Sequence, residues 1–236
     1  MGKNACPGKK VSMINSLHAL LHRPEKGWDP VPLAHAEKYA AAEWEQVDMA
    51  LLDKLEKWLN GFQGKRVLDL GGGPGHYSVA FAQRGAHVTW HDVSRNYWQI
   101  AQKQAASAKV QINFSLGYLE EAAKFIDRPF DVVFNRLCWY YCKNDRAFAR
   151  LFYQLLKPGG AGYIDTHIAR RDAQYGKRKF VYFLNDRLSW KIGHPFPPKG
   201  RIIELLQKYP LASIIIDDAS ALNDRVFFVK SKAAAA

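Results

Sequence analysis

One stretch constrains the fold of this chain more than any other, residues Val67 to His76, which read VLDLGGGPGH. Val67 to Leu70 form an apolar run, interrupted only by Asp69, that is typical of a short buried strand. The glycines that follow end the strand, because glycine allows positive φ and lets a ligand approach bare backbone. The apolar residues from Tyr77 to Phe81 then predict a helix. In open α/β sheets, nucleotides bind at such a turn, beyond the carboxyl end of the strand.

A second predicted strand, Val88 to Asp92, ends in an acid about 20 residues further on. The carboxylate of Asp92 can accept hydrogen bonds from both hydroxyls of a ribose. A dinucleotide fingerprint requires glycine at its first, third and sixth positions, and the sixth position here is His76. Asp69 also places a negative charge inside the turn, and this charge would repel a pyrophosphate. The turn therefore favours a cationic ligand with an amino group over a dinucleotide.

The glycine turn, the acid and two later segments resemble the class I S-adenosylmethionine-dependent methyltransferases. The later segments are Pro129 to Arg136, a predicted fourth strand, and Lys157 to Gly160, a lysine-proline-glycine-glycine turn before a fifth strand at Gly162 to His167. The resemblance extends over approximately Lys65 to His167. It implies a doubly wound α/β fold with a seven-stranded, mostly parallel sheet, helices on both faces, and S-adenosylmethionine as cofactor.

The resemblance also implies which residues bind the cofactor. Asp92 is expected to bind the ribose, and Tyr39, in the region before the first strand, is expected to close over the cofactor. In the family an acid after the third strand binds the adenine amino group, but Tyr118 stands at that place. Either Tyr118 contacts the purine or backbone groups do so. The expected cofactor-binding residues are Asp69, Gly71, Gly72, Gly73, Gly75, Asp92, Val93, Tyr118, Asn135 and Tyr39.

Methyl transfer from an activated donor requires proximity of the two reactants, and an oxygen nucleophile also needs a base. His167, at the end of the fifth strand, is the preferred base, with His76 and His194 as alternatives. Asp165 and His167 alone are too few ligands for a metal, so no metal is predicted. The candidate catalytic residues, all near the ends of strands four and five, are His167, Tyr140 and Arg136.

Two base-modifying chemistries are disfavoured by the residues after the fourth strand. Methylation of exocyclic amines typically uses an asparagine followed by two prolines, which Asn135 to Cys138 lacks. Methylation of cytosine at carbon needs a nucleophilic cysteine, and no proline precedes Cys138. The sequence therefore predicts a small-molecule acceptor that is methylated on oxygen or nitrogen. A methyltransferase for RNA or protein is the first alternative, and a catalytically silent cofactor-binding partner subunit is the second.

The chain divides into a predicted helical cap over residues 1–63 and a methyltransferase domain over 64–232. The cap contains a short helix from Val11 to Leu21 and one or two helices between Leu33 and Phe62. Residues 233–236, four alanines, are excluded from the fold as a tail.

Ile168 to Lys199 does not fit a minimal version of the fold and is predicted to be a lid that binds substrate. Cations and aromatic residues alternate in it, a mixture suited to an anionic or aromatic ligand. The cations include Lys177, Arg178 and Lys179, and the aromatic residues include Tyr175, Phe180, Tyr182, Phe183, Trp190 and Phe196.

The net charge of +12 is compatible with nucleic-acid binding, with an acidic small substrate, or with a basic surface that has no specific partner. Neither a membrane span nor a signal peptide is expected, because no apolar run is long enough for either. The three cysteines cannot all pair, which indicates reduced thiols and a cytoplasmic protein. The oligomeric state is left open by the sequence.

Overall fold

The computed structural model describes residues 21–124, 128–170, 175–188, 193–217 and 221–232. The helix predicted from Val11 to Leu21 lies outside the described residues, except for Leu21. Cys6 and the tail at 233–236 also lie outside them.

The described residues form a seven-stranded sheet with the strand order β3-β2-β1-β4-β5-β7-β6. Strands β1 to β5 are parallel, and β7 is antiparallel to both β5 and β6. This is the mostly parallel sheet that the sequence predicts. The strands are β1 Arg66–Leu70, β2 His87–Asp92, β3 Ile112–Leu116, β4 Phe130–Arg136, β5 Leu156–His167, β6 Leu211–Asp217 and β7 Asn223–Lys230.

Helices connect the strands, and several begin at polar caps that the sequence provides. The Ser94 side chain accepts a hydrogen bond from the Tyr97 amide, as expected for an N-cap, and Asp48 does the same for Leu51. The Asp48 cap divides the region from Leu33 to Phe62 into two helices. The described α-helices are α1 Leu33–Glu45, α2 Met49–Leu59, α3 His76–Gln83, α4 Arg95–Ser107, α5 Asp145–Leu155, α6 Tyr175–Leu188 and α7 Arg201–Leu206. Short 3₁₀ helices occur at Pro24–Lys26, Leu119–Lys124 and Trp139–Tyr141.

The core lies in two layers, one on each face of the sheet. Side chains alternate along β1, so that Leu68 and Leu70 face α5 and α7, whereas Val67 faces α2 and α3. Burial on both faces is the packing expected of a parallel sheet covered by helices. The doubly wound α/β architecture is therefore confirmed.

The sequence predicts a third strand from Val110 to Phe114, but β3 begins two residues later, at Ile112. The Val110 amide donates to Ala105 O and the Lys109 amide to Ala106 O, with Lys109 at φ 55°. These two bonds close α4 in a Schellman motif, so the Val110 amide is not available to the sheet.

Strand β5 begins earlier than predicted, at Leu156 rather than Gly162. Leu156 pairs with Phe130, and the register then shifts before Ala161 pairs with Val132. The turn predicted at Lys157 to Gly160 is therefore an irregularity inside a longer strand.

The segment Ile168 to Lys199 contains a helix, α6, that the sequence analysis does not predict. Its Tyr182 hydroxyl donates to the Asp145 carboxylate at the start of α5. Asp186 accepts from Arg201 Nη2 at 2.9 Å, at the start of α7. These polar contacts fix the helix against α5 and α7. In the part of the chain that is described, no helix combines the length and the apolar character needed to span a bilayer.

Candidate active site

The glycine turn after β1 is held in shape by its own backbone. Gly71, Gly73 and Gly75 have φ values of 82°, 50° and 83°, in the region that favours glycine. The Gly71 amide donates to His91 O in β2 at 2.7 Å. Gly75 is the N-cap of α3. The turn thus joins β1 to α3 while remaining in contact with the end of β2.

The glycines of this turn serve two different purposes. A Cβ on Gly71 would lie 2.1 Å from Cys138 Sγ, and one on Gly72 would lie 2.3 Å from Trp90 Cδ1. Those two positions are glycine because the protein itself packs against them. A Cβ on Gly73, in contrast, would meet no described atom within 4 Å. The amide and carbonyl of Gly73 are bonded to Asp92 and Trp90, so the space open to a ligand lies where a side chain would be on another residue.

Asp92 lies at the end of β2, with both carboxylate oxygens held by backbone amides. Oδ2 accepts from the Gly73 amide at 3.0 Å and Oδ1 from the Ser94 amide at 2.9 Å. Val93 lies between Asp92 and the N-cap of α4. Burial raises the pKa of Asp92. Because each oxygen can accept more than one hydrogen bond, the oriented carboxylate can still bind two hydroxyls.

Asp69 is the second acid of the turn, and it is 3% exposed. Its Oδ2 accepts from Ser78 Oγ at 2.6 Å. Burial raises the pKa of Asp69 to about 7, and the charge of Asp92 contributes, although the Ser78 hydrogen bond acts in the opposite direction. A cation bound beside Asp69 would favour its ionised form.

A small cavity of about 40 Å³ adjoins the turn. Helix α1 contributes Tyr39 and Glu43 to its wall. Leu137, just after β4, also lines the cavity, and its φ is 56°. A leucine in this region is strained, and such strain is found most often at functional sites. The other lining residues are Asp69, Gly71, Gly72, Gly73, Pro74, His76, Tyr77, Phe134 and Arg136.

The N-terminal segment covers the ends of β2 and β3. The Tyr118 hydroxyl donates to His22 O at 2.6 Å, and the Trp28 ring stacks on Tyr118 with centroids 6.2 Å apart. Asp29 accepts from the Asn96 amide at 2.7 Å, in the first turn of α4. The structure thus places Tyr118 near the strand ends, with its hydroxyl bonded to the main chain. Its contact with a purine stays a prediction.

Arg136 connects α1 to the sheet. Its Nη1 lies 3.6 Å from Glu43 Oε2, and its Nε lies 3.7 Å from Asp165 Oδ2. His76 Nε2 lies 3.4 Å from the same Glu43 oxygen. Burial, together with the charge of Arg136, lowers the pKa of His76 to about 4. Tyr39, His76 and Arg136, all named from the sequence, therefore line the cavity together with the glycine turn.

Beyond the ends of β4 and β5 lies an aromatic cluster, which we define as Tyr140, Tyr141, His167, His194 and Phe196. The His167 ring centroid is 6.1 Å from that of Tyr140 and 5.2 Å from that of Phe196. Tyr140 and Phe196 meet at 4.8 Å, edge to face. The structure thus brings Tyr140 and His167 together, and the segment Ile168 to Lys199 contributes Phe196 and His194.

Asn135, also predicted at the site, is fully buried behind the strand ends. Its Nδ2 donates to Leu70 O at 2.7 Å, which ties β4 to β1. Two polar residues near the site were missed by sequence reasoning. His91 bridges Ser115 Oγ and Tyr118 O, each at 2.9 Å. Asn223, the first residue of β7, contacts His167, and no pattern in the sequence indicates this contact.

The part of the chain that contains the glycine turn is similar to known proteins. Residues 67–160 match a family described as "Methyltransferase domain". They form a methyltransferase domain of the class I, S-adenosylmethionine-dependent type. The predicted resemblance is therefore confirmed. This methyltransferase domain contains the glycine turn, Asp92 and β4.

Curated relatives resemble the methyltransferase domain and its surroundings. The ubiquinone biosynthesis O-methyltransferase of Idiomarina loihiensis is 28% identical over 151 residues, 60% of this chain and 62% of that protein. The protein of the same name from Azoarcus sp. is 29% identical over 169 residues, 70% of this chain and 65% of that protein. The chain thus spans less than two thirds of the length of these relatives.

Solved structures share the fold. The PH0226 protein from Pyrococcus horikoshii OT3 aligns with a TM-score of 0.58 at 17% identity, over 77% of this chain and 88% of that one. The [4+2]-cyclase SpnF aligns with a TM-score of 0.60 at 16% identity, over 77% and 80%. Because one of these proteins is a cyclase by name, the shared fold does not determine the reaction.

The residues around the turn fit S-adenosylmethionine, the methyl donor of this class. Asp92 provides a charged acceptor for ribose hydroxyls, held in place by the Gly73 and Ser94 amides. Gly73 leaves open space where another residue would carry a side chain. Asp69 in the cavity wall offers a carboxylate to an ammonium group. The turn and the strand ends therefore offer acidic partners to the ribose hydroxyls and to the ammonium group of the cofactor.

Proposed function

We propose that the chain transfers a methyl group from S-adenosylmethionine to a hydroxyl oxygen of a small aromatic acceptor. The observation that carries the proposal is the aromatic cluster around His167, at the same edge of the sheet as the glycine turn. The carboxyl ends of β1, β4 and β5 all lie at that edge because the three strands are parallel. A base among flat rings suits a phenolic oxygen better than a peptide or a phosphate backbone.

On the cofactor side, the protein binds S-adenosylmethionine and orients it. Asp92 holds the ribose hydroxyls, the backbone of Gly71 to Gly73 lines the turn, and Asp69 pairs with the ammonium group. Tyr39 and Glu43 of α1 close over the cavity. When bound, S-adenosylmethionine supplies a methyl group on a sulfonium, which needs no further activation by the protein.

On the acceptor side, the protein positions a ring and takes a proton. Tyr140 and Phe196 pack against a flat acceptor, and such ring contacts contribute about 0.5–1.5 kcal/mol each. His167 accepts the hydroxyl proton as the oxygen becomes a nucleophile. Arg136 keeps α1 in place through Glu43. We propose that the segment Ile168 to Lys199, which supplies Phe196 and His194, is the lid over this acceptor.

A further observation supports this choice. The curated relatives are named O-methyltransferases of ubiquinone biosynthesis, which favours oxygen as the acceptor atom and a small molecule as substrate.

We also propose that the protein is cytoplasmic. In the described part of the chain Cys138 and Cys142 are free thiols, which is compatible with that compartment.

The experiment is a methyl-transfer assay with isotopically labelled S-adenosylmethionine and three acceptor panels: phenols and catechols, RNA, and protein. We expect label on a phenolic oxygen, with the product identified by mass spectrometry. Transfer to RNA alone or protein alone would contradict the proposal. Tight cofactor binding without transfer to any panel would instead indicate a silent partner subunit.

A further inference from the structure

We infer that Asp165 and Asn223 are positioning residues that hold the imidazole of His167 with Nδ1 protonated and Nε2 able to accept a proton. The catalytic meaning of this arrangement rests on the proposed function. The arrangement itself is a property of the free protein and can be tested without any substrate.

The three residues meet because of the register of the sheet. Strands β5 and β7 are antiparallel, with His167 directly opposite Asn223 and Asp165 directly opposite Arg225. Side chains two residues apart on a strand share a face, so Asp165 and His167 point the same way. Asn223 therefore lies across from His167 and diagonal to Asp165, within reach of both.

The direction of each hydrogen bond follows from the chemistry of the end groups. Asn223 Nδ2 lies 2.6 Å from Asp165 Oδ1, and a carboxylate can only accept, so the amide nitrogen donates to it. The Asn223 carbonyl must then face His167, whose Nδ1 lies 2.9 Å from Oδ1. A carbonyl oxygen cannot donate, so Nδ1 carries the proton. Neutral imidazole has one proton, which leaves Nε2 with its lone pair.

The charge of Asp165 is balanced where it lies, although the residue is 1% exposed. Arg225 Nε is 3.4 Å and Arg136 Nε is 3.7 Å from its Oδ2. Both guanidinium groups approach the oxygen that Asn223 does not use. Asp165 Oδ1 thus remains available as the fixed end of the chain of hydrogen bonds.

This arrangement leaves Nε2 of His167 as the ring atom that can accept a proton from the acceptor. Within the described residues Nε2 has no hydrogen-bond partner, and the ring packs against Tyr140 and Phe196 of the aromatic cluster. In the proposed reaction the acceptor O–H bond breaks, the proton moves to Nε2, and the electron pair stays on oxygen. The other proton stays on Nδ1 of His167, which donates it in a hydrogen bond to Asn223 Oδ1, and the imidazolium is stabilised by the Asp165 carboxylate beyond Asn223.

The direct test is ¹⁵N NMR of the full chain labelled on histidine, with the His167 signals assigned by their loss in His167→Gln. We expect Nδ1 protonated and Nε2 unprotonated in the wild type, and a mixture of both tautomers in Asn223→Leu. Arg225→Met is the matched control, because it removes a charge beside Asp165 but keeps the Asn223 bonds. It should leave the tautomer unchanged. Protonated Nε2 in the wild type, or an unchanged tautomer in Asn223→Leu, would overturn the inference.

A second variant and a second readout complete the test. Asp165→Asn preserves the size of the side chain but can donate as well as accept, so the Asn223 amide can flip and both His167 tautomers become possible. This variant keeps the test open if Asn223→Leu fails to fold. With an acceptor identified, Asn223→Leu should lower kcat at least about tenfold and leave KM for the cofactor within about twofold. A matching rise in KM would indicate a merely structural role. Absence of any methyl transfer would refute the proposed function but not the NMR result.

Discussion

The edge of the sheet at the carboxyl ends of the parallel strands has two halves that are built differently. The cofactor half lies beside β1 and β2, and the acceptor half lies beside β5 and β7. On the side of β1 and β2 the site is mostly backbone, made by residues close in sequence, since Gly73 and Asp92 are 19 residues apart. On the side of β5 and β7 the site is made of side chains that meet across strands, and Asp165 and Asn223 are 58 residues apart. The first half needs glycine and a strand end. The second half depends on the register of an antiparallel pair.

This difference predicts that substitutions in the two halves fail in different ways. Defects near the glycine turn should appear in folding or in cofactor affinity. Defects near His167 should appear in turnover, with the cofactor still bound.

The largest effect is expected at Gly71, where the turn supports the fold. Gly71→Val would force a side chain onto Cys138 Sγ at a φ of 82°. Strain and overpacking each cost about 1–3 kcal/mol, so thermal denaturation should show a severe loss of stability.

Gly73→Val is the matched comparison, because no described atom would meet its Cβ and only the φ of 50° opposes it. It should lose cofactor binding out of proportion to a small fall in melting temperature. Equal loss of stability in both variants would show that the turn serves packing alone.

The next effect is expected at Asp92. Hydrogen bonds to a charged group contribute about 1.5–3 kcal/mol each, so Asp92→Ala should weaken S-adenosylmethionine binding at least about tenfold in calorimetry. Asp53→Ala is the control, since that carboxylate is 70% exposed and, among the described residues, pairs only with Arg84. Unchanged affinity in Asp92→Ala would remove this residue from the site.

A comparable change in affinity is expected from pH. Because the pKa of Asp69 is raised to about 7, the free protein holds a proton there below that pH, and a bound ammonium must displace it. Cofactor affinity should therefore be about tenfold weaker at pH 6 than at pH 8. The pKa of His76, about 4, lies below this range. In Asp69→Asn the affinity should be lower and nearly independent of pH; a persisting slope would assign the proton elsewhere.

The smallest effect is expected on the basic face of α6. Lys177 and Lys179 are exposed, and isolated surface charges contribute at most about 1 kcal/mol. Lys177→Glu with Lys179→Glu should leave turnover of a small acceptor within about twofold at low and at physiological salt. A steep salt dependence that the double variant flattens would instead indicate a nucleic-acid substrate.

The strands, turn and helices that carry the proposed cofactor half are predicted well by the sequence because their signals are local. A buried strand followed by glycines is compatible with few other structures. Ser94 is a residue type that favours the N-cap position, so it indicates where α4 begins. The end of β2 at Asp92 follows from the same strand–turn–helix pattern. The errors are two residues at the start of β3 and six at the start of β5, and they arise where the end of α4 at Lys109 and an irregularity near Gly159 displace the strand starts.

The acceptor half is harder to predict because its partners are set by tertiary structure. Asn223 stands opposite His167 only after the segment between them has folded and β7 has paired in one register. Helix α6 mixes cations with aromatic residues and lacks a clean apolar face. It is fixed by Asp145, Arg146 and Arg201 from other elements. No pattern inside either segment indicates these contacts.

A crystal structure of the protein with S-adenosylmethionine bound tests the central claim most directly. We predict the ribose hydroxyls on Asp92, the ammonium group beside Asp69, and the methyl group directed toward the aromatic cluster around His167. A ligand bound away from the glycine turn would contradict the account of the cofactor half. A methyl group facing away from the cluster would contradict the division of the edge into a cofactor half and an acceptor half.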